Sequence, residues 1–169
     1  GVSYGLLVRL AAAKRAPRHA DGGLRIAVIG LGYVGLPLAV ALARHFRVTG
    51  FDIDRARIAA LGKGRDRAAA VPKRALATSG VELTADRAAL SGADIFIVTV
   101  PTPVDANNRP DLRAVRAAAR TVGRHIAAGA TVVLESTVYP GVTEEVCGPI
   151  IARASGLKCG RDFFLGYAP

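Results

Sequence analysis

Methionine and tryptophan are absent from this chain of 169 residues, and aromatic residues make up only 5% of it. So few aromatic rings argue against a surface that stacks nucleic-acid bases. The two cysteines, Cys147 and Cys159, fit no metal-ligand spacing and no disulfide framework. We therefore expect no metal site and two small buried or half-buried cysteines, in a chain that resides in the reducing cytoplasm.

Long apolar runs are absent as well. No segment approaches the roughly twenty apolar residues that span a bilayer, so we expect no membrane contact. The hydrophobic share of 51% is nevertheless enough for the core of one domain. The formal net charge of +10 comes from dispersed basic residues, which favour a small anionic ligand over nucleic acid.

The first 23 residues are basic and alanine-rich, and they lack the apolar stretch and cleavage site of a targeting peptide. We interpret residues 1–23 as a flexible leader or an incorrectly assigned start, and residues 24–169 as the folded domain. Among the histidines, His19 lies in this leader. We expect His45 and His125 at the surface or at helix ends.

The most informative motif is LRIAVIGLGYVG, a short apolar strand that ends in three spaced glycines. Gly30 permits a tight turn, Gly32 lets a diphosphate approach the main chain, and Gly35 lets a helix pack against the strand. A helix that begins near Tyr33 would direct free N–H groups and its positive dipole end at the diphosphate. This pattern is typical of dinucleotide binding.

The residues around the glycines predict a βαβ unit, with strands at Ile26–Ile29 and Arg47–Phe51 and a helix over Val34–Phe46. Asp52 follows about twenty residues after the glycines, where a carboxylate can accept hydrogen bonds from both ribose hydroxyls and repel a 2′-phosphate. The cofactor predicted is therefore NAD, not NADP. In the alternative interpretation, the glycines serve only a turn and Asp52 is a solvated strand end.

Alternation of strands and helices continues to the end of the chain, which predicts a Rossmann-type, doubly wound α/β fold with helices on both faces of a mainly parallel sheet. The sequence predicts strands at Val81–Leu83, Asp94–Val100, Thr131–Leu134 and Phe163–Leu165, and helices at Asp54–Leu61, Val71–Ala77, Leu112–Ala128 and Thr143–Ala154. We expect Asp111 to cap the helix over Leu112–Ala128 and Gly129 to end it.

Six segments together resemble the NAD-binding domain of the UDP-glucose/GDP-mannose dehydrogenase family. They are GLGYVGLPLA at Gly30–Ala39, FDID at Phe51–Asp54, VPTPVD at Val100–Asp105, NNRPDL at Asn107–Leu112, ESTVYPGVTEE at Glu135–Glu145 and FFLGYAP at Phe163–Pro169. The resemblance covers nearly everything after the leader. The segments VPTPVD and PDL favour the branch acting on UDP-N-acetylglucosamine or UDP-N-acetylmannosamine.

This resemblance implies oxidation of a nucleotide-sugar C6 alcohol to a carboxylate with two NAD, and a homo-oligomeric enzyme. The family's catalytic cysteine, lysine and aspartate belong to later domains and have no counterpart in this sequence. We therefore expect the chain alone to be inactive.

The resemblance also implies roles for individual residues. The diphosphate would be contacted by backbone groups of Gly30, Gly32, Tyr33, Val34 and Gly35. Asp52 would contact the ribose and Arg57 the adenine region. The adenosine and nicotinamide-side ribose contacts would be lined by Val100, Pro101 and Thr102. Thr137 would hold water or substrate near the reaction centre, beside Ser136, and Glu135 would reach the nicotinamide end. Each role has an alternative. Arg57 could be a solvated helical arginine, and the prolines could only end the strand. The Ser136–Thr137 pair could only satisfy backbone groups of the loop, and Glu135 could only cap that loop.

Two other functions remain open at this point. The chain could be the cofactor domain of a 6-phosphogluconate or β-hydroxyacid dehydrogenase, which needs no later cysteine. It could also be a non-catalytic NAD-binding fragment.

Overall fold

A six-stranded parallel sheet forms the centre of the molecule. The computed structural model describes residues 23–168, so the predicted leader lies outside it except for Gly23, and so does His19. The strands are β1 (Arg25–Ile29), β2 (Arg47–Phe51), β3 (Glu82–Thr84), β4 (Ile95–Val98), β5 (Thr131–Leu134) and β6 (Phe164–Tyr167). Every neighbouring pair is parallel, in the order β3-β2-β1-β4-β5-β6. The predicted Rossmann-type fold is confirmed.

Helices cover both faces of this sheet. They are α1 (Gly35–Leu42), α2 (Arg55–Gly62), α3 (Lys73–Ala77), α4 (Arg113–His125) and α5 (Gly148–Ser155), with a 3₁₀ turn at Arg87–Leu90 and a π turn at Val142–Cys147. Successive strand side chains point to opposite faces. Ile26 and Val28 accordingly pack with α1, α2 and α3, whereas Ala27 and Ile29 pack with α4 and α5. Double coverage explains why β1 and β4 are almost entirely apolar.

Two predicted helices end earlier than the sequence suggested. The first was expected over Val34–Phe46, but α1 ends at Leu42, and the next four residues form turns that lead directly into β2. The second was expected over Leu112–Ala128, but α4 ends at His125. The backbone of Ile126 is extended, and its side chain packs against the core, so the helix ends there. Gly129, which has a positive φ, lies in the turn that leads into β5 and does not end the helix.

The expected cap at Asp111 was also wrong by one position. Leu112 occupies the N-cap of α4 and makes no side-chain capping bond. Asp111 lies just before it and accepts the backbone N–H of Arg113 at 2.9 Å and its guanidinium at 2.6 Å. The side-chain hydrogen bond from Arg113 lowers the pKa of Asp111 to about 2.

The helix expected over Thr143–Ala154 consists of two parts, the π turn and α5. Pro149 lacks an N–H, and its ring would clash with the carbonyl group four residues earlier in a regular helix, which accounts for the widened turn before it. The strands predicted at Arg47–Phe51 and Thr131–Leu134 are confirmed. The remaining elements differ from prediction by one or two residues at their ends.

Candidate functional site

The candidate site lies where β1 and β4 end, in the middle of the sheet. The chain leaves β1 toward β2 and leaves β4 toward β5, and ligands of such sheets bind at this switch point beyond the carboxyl ends. A cleft of about 710 Å³ opens there. Of the predicted site residues, those that line it are Gly30, Gly32, Asp52, Arg57, Val100 and Pro101.

The glycine loop after β1 is shaped by three different requirements. Gly30 has φ +95°, and a side chain there would also approach the Thr99 carbonyl oxygen to 3.0 Å. A Cβ on Gly35 would overlap the Gly30 carbonyl oxygen and the Thr99 hydroxyl. A Cβ on Gly32 would meet nothing within 4 Å. Gly30 thus allows the turn and Gly35 allows α1 to pack closely, while Gly32 leaves open space.

Free donors surround that open space. Within residues 23–168, the N–H groups of Gly32, Tyr33 and Val34 meet no protein acceptor, as expected at the start of a helix. Tyr33 and Val34 have exposed side chains, and neither residue is among those that line the 710 Å³ cleft. Free N–H groups and the positive end of α1 together suit an anion.

Asp52 follows β2 and is half-buried. One carboxylate oxygen accepts the N–H of Leu31 at 2.9 Å, and the other accepts the N–H of Asp54 at 2.9 Å. Each oxygen retains a further lone pair, so the carboxylate can still accept hydroxyl donors. Asp52 therefore has the position and chemistry expected for a ribose contact.

Arg57 is buried, so the alternative of a solvated helical arginine is wrong. Its Nε and Nη2 atoms donate to the Leu31 carbonyl oxygen at 3.1 and 2.8 Å. Nη2 also contacts Asp66 Oδ1 at 2.7 Å. Its guanidinium therefore supports the glycine loop, and its contact with an adenine remains a prediction.

The opposite wall of the cleft was missed by the sequence interpretation. It consists of three exposed arginines and a small-residue face of α4: Arg87, Arg120, Arg124, Ala114, Ala117, Ala118 and Thr121. The signal available was the helical spacing of Ala114, Ala117, Ala118 and Thr121, which leaves room for a flat ligand. These arginines add positive charge beside the position expected for the adenosine.

The loops after β4 and β5 are joined to each other by hydroxyl groups. Ser136 Oγ donates to the Val100 carbonyl oxygen at 2.7 Å, and Thr102 Oγ1 donates to the Thr137 carbonyl oxygen at 2.6 Å. The Ser136 hydroxyl thus satisfies a loop backbone group, whereas Thr137 is exposed. Thr102, Ser136 and Thr137 do not line the 710 Å³ cleft.

Glu135, directly after β5, has a buried carboxylate with one unpaired oxygen atom. It is 9% exposed, and its Oε2 atom has no hydrogen-bond partner within the described part of the chain. Burial raises the pKa of its carboxyl group. A buried acceptor without a donor is a place where a ligand or another protein group can form a hydrogen bond.

The cysteines lie apart from this site. Cys147 is buried, as expected, and burial raises the pKa of its thiol to about 11. Cys159 is exposed in the turn after α5, so its expected burial was wrong. His45 is exposed and His125 is the last residue of α4, which confirms both expectations. Residues 23–168 contain no group of three potential metal ligands.

The residues present fit a dinucleotide. The open space at Gly32 and the free N–H groups suit a diphosphate, Asp52 suits a ribose, and the cleft volume is within the usual range for cofactor sites. This sheet order, with a glycine turn at its switch point and an acidic residue after β2, defines a nucleotide-binding domain of the dehydrogenase type.

Sequence comparison then identifies the family. The chain belongs to the UDP-glucose/GDP-mannose dehydrogenase family, whose NAD binding domain matches residues 24–169. NAD is accordingly the cofactor of this domain. The family consists of oxidoreductases, and the resemblance noted from the sequence motifs is confirmed, including its branch.

Individual relatives are similar to this chain over most of its length. Protein CapL of Staphylococcus aureus is 49% identical over 144 residues, which are 85% of this chain and 34% of that protein. The UDP-N-acetyl-D-glucosamine 6-dehydrogenase of Pseudomonas aeruginosa is 46% identical over 147 residues, 86% of this chain and 35% of that protein. The chain thus spans about a third of the length of these relatives.

A solved structure agrees with these matches. The UDP-D-ManNAc dehydrogenase of Pyrococcus horikoshii superposes with a TM-score of 0.78 at 34% identity, over 86% of this chain and 36% of that chain. Over the residues described here, no helix is both long and apolar enough to cross a membrane.

Proposed function

We propose that this chain is the NAD-binding portion of a nucleotide-sugar 6-dehydrogenase that acts on a UDP-N-acetylhexosamine. The reaction would convert the C6 alcohol to a carboxylate, with one water consumed and two NAD reduced in succession. Similarity to UDP-N-acetyl-D-glucosamine and UDP-N-acetyl-D-mannosamine dehydrogenases supports the N-acetylated substrate over UDP-glucose. Catalysis by the chain alone is not expected, because neither Cys147 nor Cys159 lies at the cleft.

The observation that carries the proposal is the arrangement of donors and acceptors around the glycine loop. The N–H groups of Gly32, Tyr33 and Val34 would hold the diphosphate, with Gly30 and Gly35 shaping the loop. Asp52 would accept the adenosine ribose hydroxyls, and its negative charge would repel a 2′-phosphate. Val100 and Pro101 line the cleft and would form the wall beside the ribose, with Thr102 next to them in the chain.

Bound NAD supplies a hydride acceptor, and the chain's own residues orient it. The loop after β5 would lie at the nicotinamide end, where Thr137 presents an exposed hydroxyl that can donate and accept a hydrogen bond. We propose that Thr137 holds water or substrate there, that Ser136 fixes this loop to the loop after β4, and that Glu135 accepts a donor at the nicotinamide end. These roles depend on the positions of the three side chains at the carboxyl edge.

The partners follow from the same proposal. NAD and, in the complete enzyme, a nucleotide sugar are the ligands, and neither nucleic acid nor a membrane is expected. A homo-oligomer remains a prediction. So does the reducing cytoplasm, with which the free thiols of Cys147 and Cys159 agree.

Isothermal titration of the chain with NAD and with NADP tests the proposal. We expect NAD to bind more tightly, and Asp52→Ala to weaken NAD binding by about tenfold or more, as loss of a charged hydrogen-bond acceptor predicts. The matched control is Asp162→Ala, because Asp162 pairs with Arg161 in the turn before β6 and does not line the cleft. Absence of NAD binding by the folded wild-type chain would contradict the proposal.

A further inference from the structure

Asp66 is a buried carboxylate that lies outside the cofactor cleft and contacts it only through another residue. Its side chain is 4% exposed and does not line the cleft. It accepts the N–H groups of Ala68, Ala70 and Val71 at 3.0, 2.8 and 3.2 Å. Burial by itself raises the pKa of Asp66, but the hydrogen bonds from Arg57 and these backbone groups outweigh burial and lower the pKa overall. The carboxylate is therefore ionised at neutral pH.

The charge of Asp66 holds Arg57 in place. The ion pair between Asp66 and Arg57 Nη2 is 2.7 Å long, and both side chains are almost fully buried. A buried guanidinium needs such a partner, because an unpaired buried charge is strongly unfavourable. With its Nη2 atom anchored, Arg57 directs Nε and Nη2 at the carbonyl oxygen of Leu31.

This contact fixes the orientation of the peptide group between Leu31 and Gly32. The unit is planar and trans, so its carbonyl oxygen and its N–H point in opposite directions. Arg57 binds the carbonyl oxygen from the α2 side. The Gly32 N–H therefore points away from Arg57, and it meets no acceptor among residues 23–168.

We propose that Asp66 is a positioning residue for cofactor binding, which acts through Arg57 to aim the Gly32 N–H at the diphosphate. The inference rests on the proposed binding of NAD in this cleft and adds a residue that makes no contact with the cofactor. Asp52 complements it, since Asp52 holds the N–H of Leu31 on the preceding peptide group. The two peptide groups on either side of the Leu31 Cα are thus fixed by two different carboxylates.

The test compares ligands with and without a diphosphate. Asp66→Asn keeps the size of the side chain and one acceptor oxygen, which can hold the Ala70 and Val71 N–H groups, but it removes the charge that holds Arg57 and replaces the other oxygen by an N–H donor. We expect it to weaken binding of NAD and of ADP-ribose by about fivefold or more in calorimetric titration. Adenosine, which has no diphosphate, should lose less affinity than NAD and ADP-ribose in an NMR titration.

The matched control is Asp162→Asn, because Asp162 also pairs with an arginine, Arg161, at 2.8 Å but lies in the turn before β6. It should leave all three affinities unchanged. Urea unfolding of each variant ensures that only folded protein is compared. If Asp66→Asn does not fold, Arg57→Lys provides the second variant, since lysine cannot bind both Leu31 and Asp66 with a rigid fork.

Unchanged NAD affinity in folded Asp66→Asn would overturn the inference while leaving the proposed function intact. Equal weakening of adenosine and NAD would also overturn it, because a general loosening of the cleft affects every ligand. A folded wild-type chain that binds no NAD would instead refute the proposed function, and the positioning role with it.

Discussion

The loops after β1 and β5 reach the same edge of the sheet but are fixed to different extents. In the loop after β1, Asp52 holds the Leu31 N–H, Arg57 holds the Leu31 carbonyl oxygen, and the Thr99 hydroxyl donates to the Gly30 carbonyl oxygen at 2.6 Å. In the loop after β5, Glu135 Oε2 has no partner among the described residues. In the first loop the Gly30 and Leu31 carbonyl oxygens are satisfied and the free groups are N–H donors, whereas the second loop retains a buried acceptor without a donor.

This difference indicates how cofactor affinity is divided along the edge. A ligand at the loop after β1 meets groups that are already ordered, so little conformational freedom is lost on binding. At the loop after β5, a ligand or another protein group gains by providing the donor that Glu135 lacks. Binding at the first loop therefore needs little reordering, whereas binding at the second would supply a missing hydrogen bond.

The largest expected effect comes from breaking the ordered loop at Gly35. Gly35→Ala places a methyl group on the Gly30 carbonyl oxygen and the Thr99 hydroxyl, so we expect a loss of about 3 kcal/mol in the free energy of unfolding. Urea denaturation measures it. Gly62→Ala is the control, because a Cβ at this end of α2 meets nothing within 4 Å. Similar unfolding midpoints for the two variants would contradict the packing role of Gly35.

A smaller effect is expected from the link between β1 and β4. Thr99→Val keeps the side-chain shape but leaves the Gly30 carbonyl oxygen without its donor, at a cost of about 1–2 kcal/mol. Thermal and urea unfolding give the comparison with Thr78→Val, whose hydroxyl only bonds the exposed end of its own helix. If both substitutions are neutral, the hydroxyl of Thr99 does not stabilise the loop.

The smallest expected effect is an increase in the free energy of unfolding, and it concerns Glu135 in the loop after β5. Because the folded-state pKa of Glu135 is raised, the folded chain holds the proton more tightly, and stability decreases as the pH rises through the two pKa values. Glu135→Gln removes this decrease. We expect the variant to be more stable than wild type by about 1 kcal/mol at neutral pH.

Below the ordinary glutamate pKa of 4.5, wild type and Glu135→Gln should be equally stable, because the carboxyl group is protonated in both states. Unfolding curves at several pH values measure this dependence. Glu82→Gln, on the exposed part of β3, should show no such difference. A destabilised Glu135→Gln variant at neutral pH would indicate that the carboxylate has a partner.

The parts of the site that the sequence predicted lie close together along the chain. Gly30, Gly32 and Gly35 fall within six residues, and Asp52 follows the end of the same βαβ unit, so spacing alone relates them. The six strands were recognisable because a sheet covered on both faces requires nearly continuous apolar runs. Element ends were less predictable, since Ile126 leaves its helix to reach the core.

Other site residues come together only in the folded chain. Arg120 and Arg124 reach the cleft because α4 lies over the edge of the sheet, and Arg87 does so from a 3₁₀ turn. With 23 lysines and arginines in the chain, no local pattern distinguishes these three. Asp66 was missed for a related reason, because its significance depends on the buried position of Arg57, which the spacing of α2 did not indicate.

The empty volume beside Gly32 has a consequence for genetics. Its backbone does not require positive φ, and a methyl group would touch nothing in the chain itself, so replacement by alanine is invisible to the folding reaction. The same methyl group would occupy the approach path of a diphosphate. Under the proposed diphosphate contact, Gly32→Ala would be a separation-of-function allele, in which the folded protein is intact and its affinity for the ligand is lost.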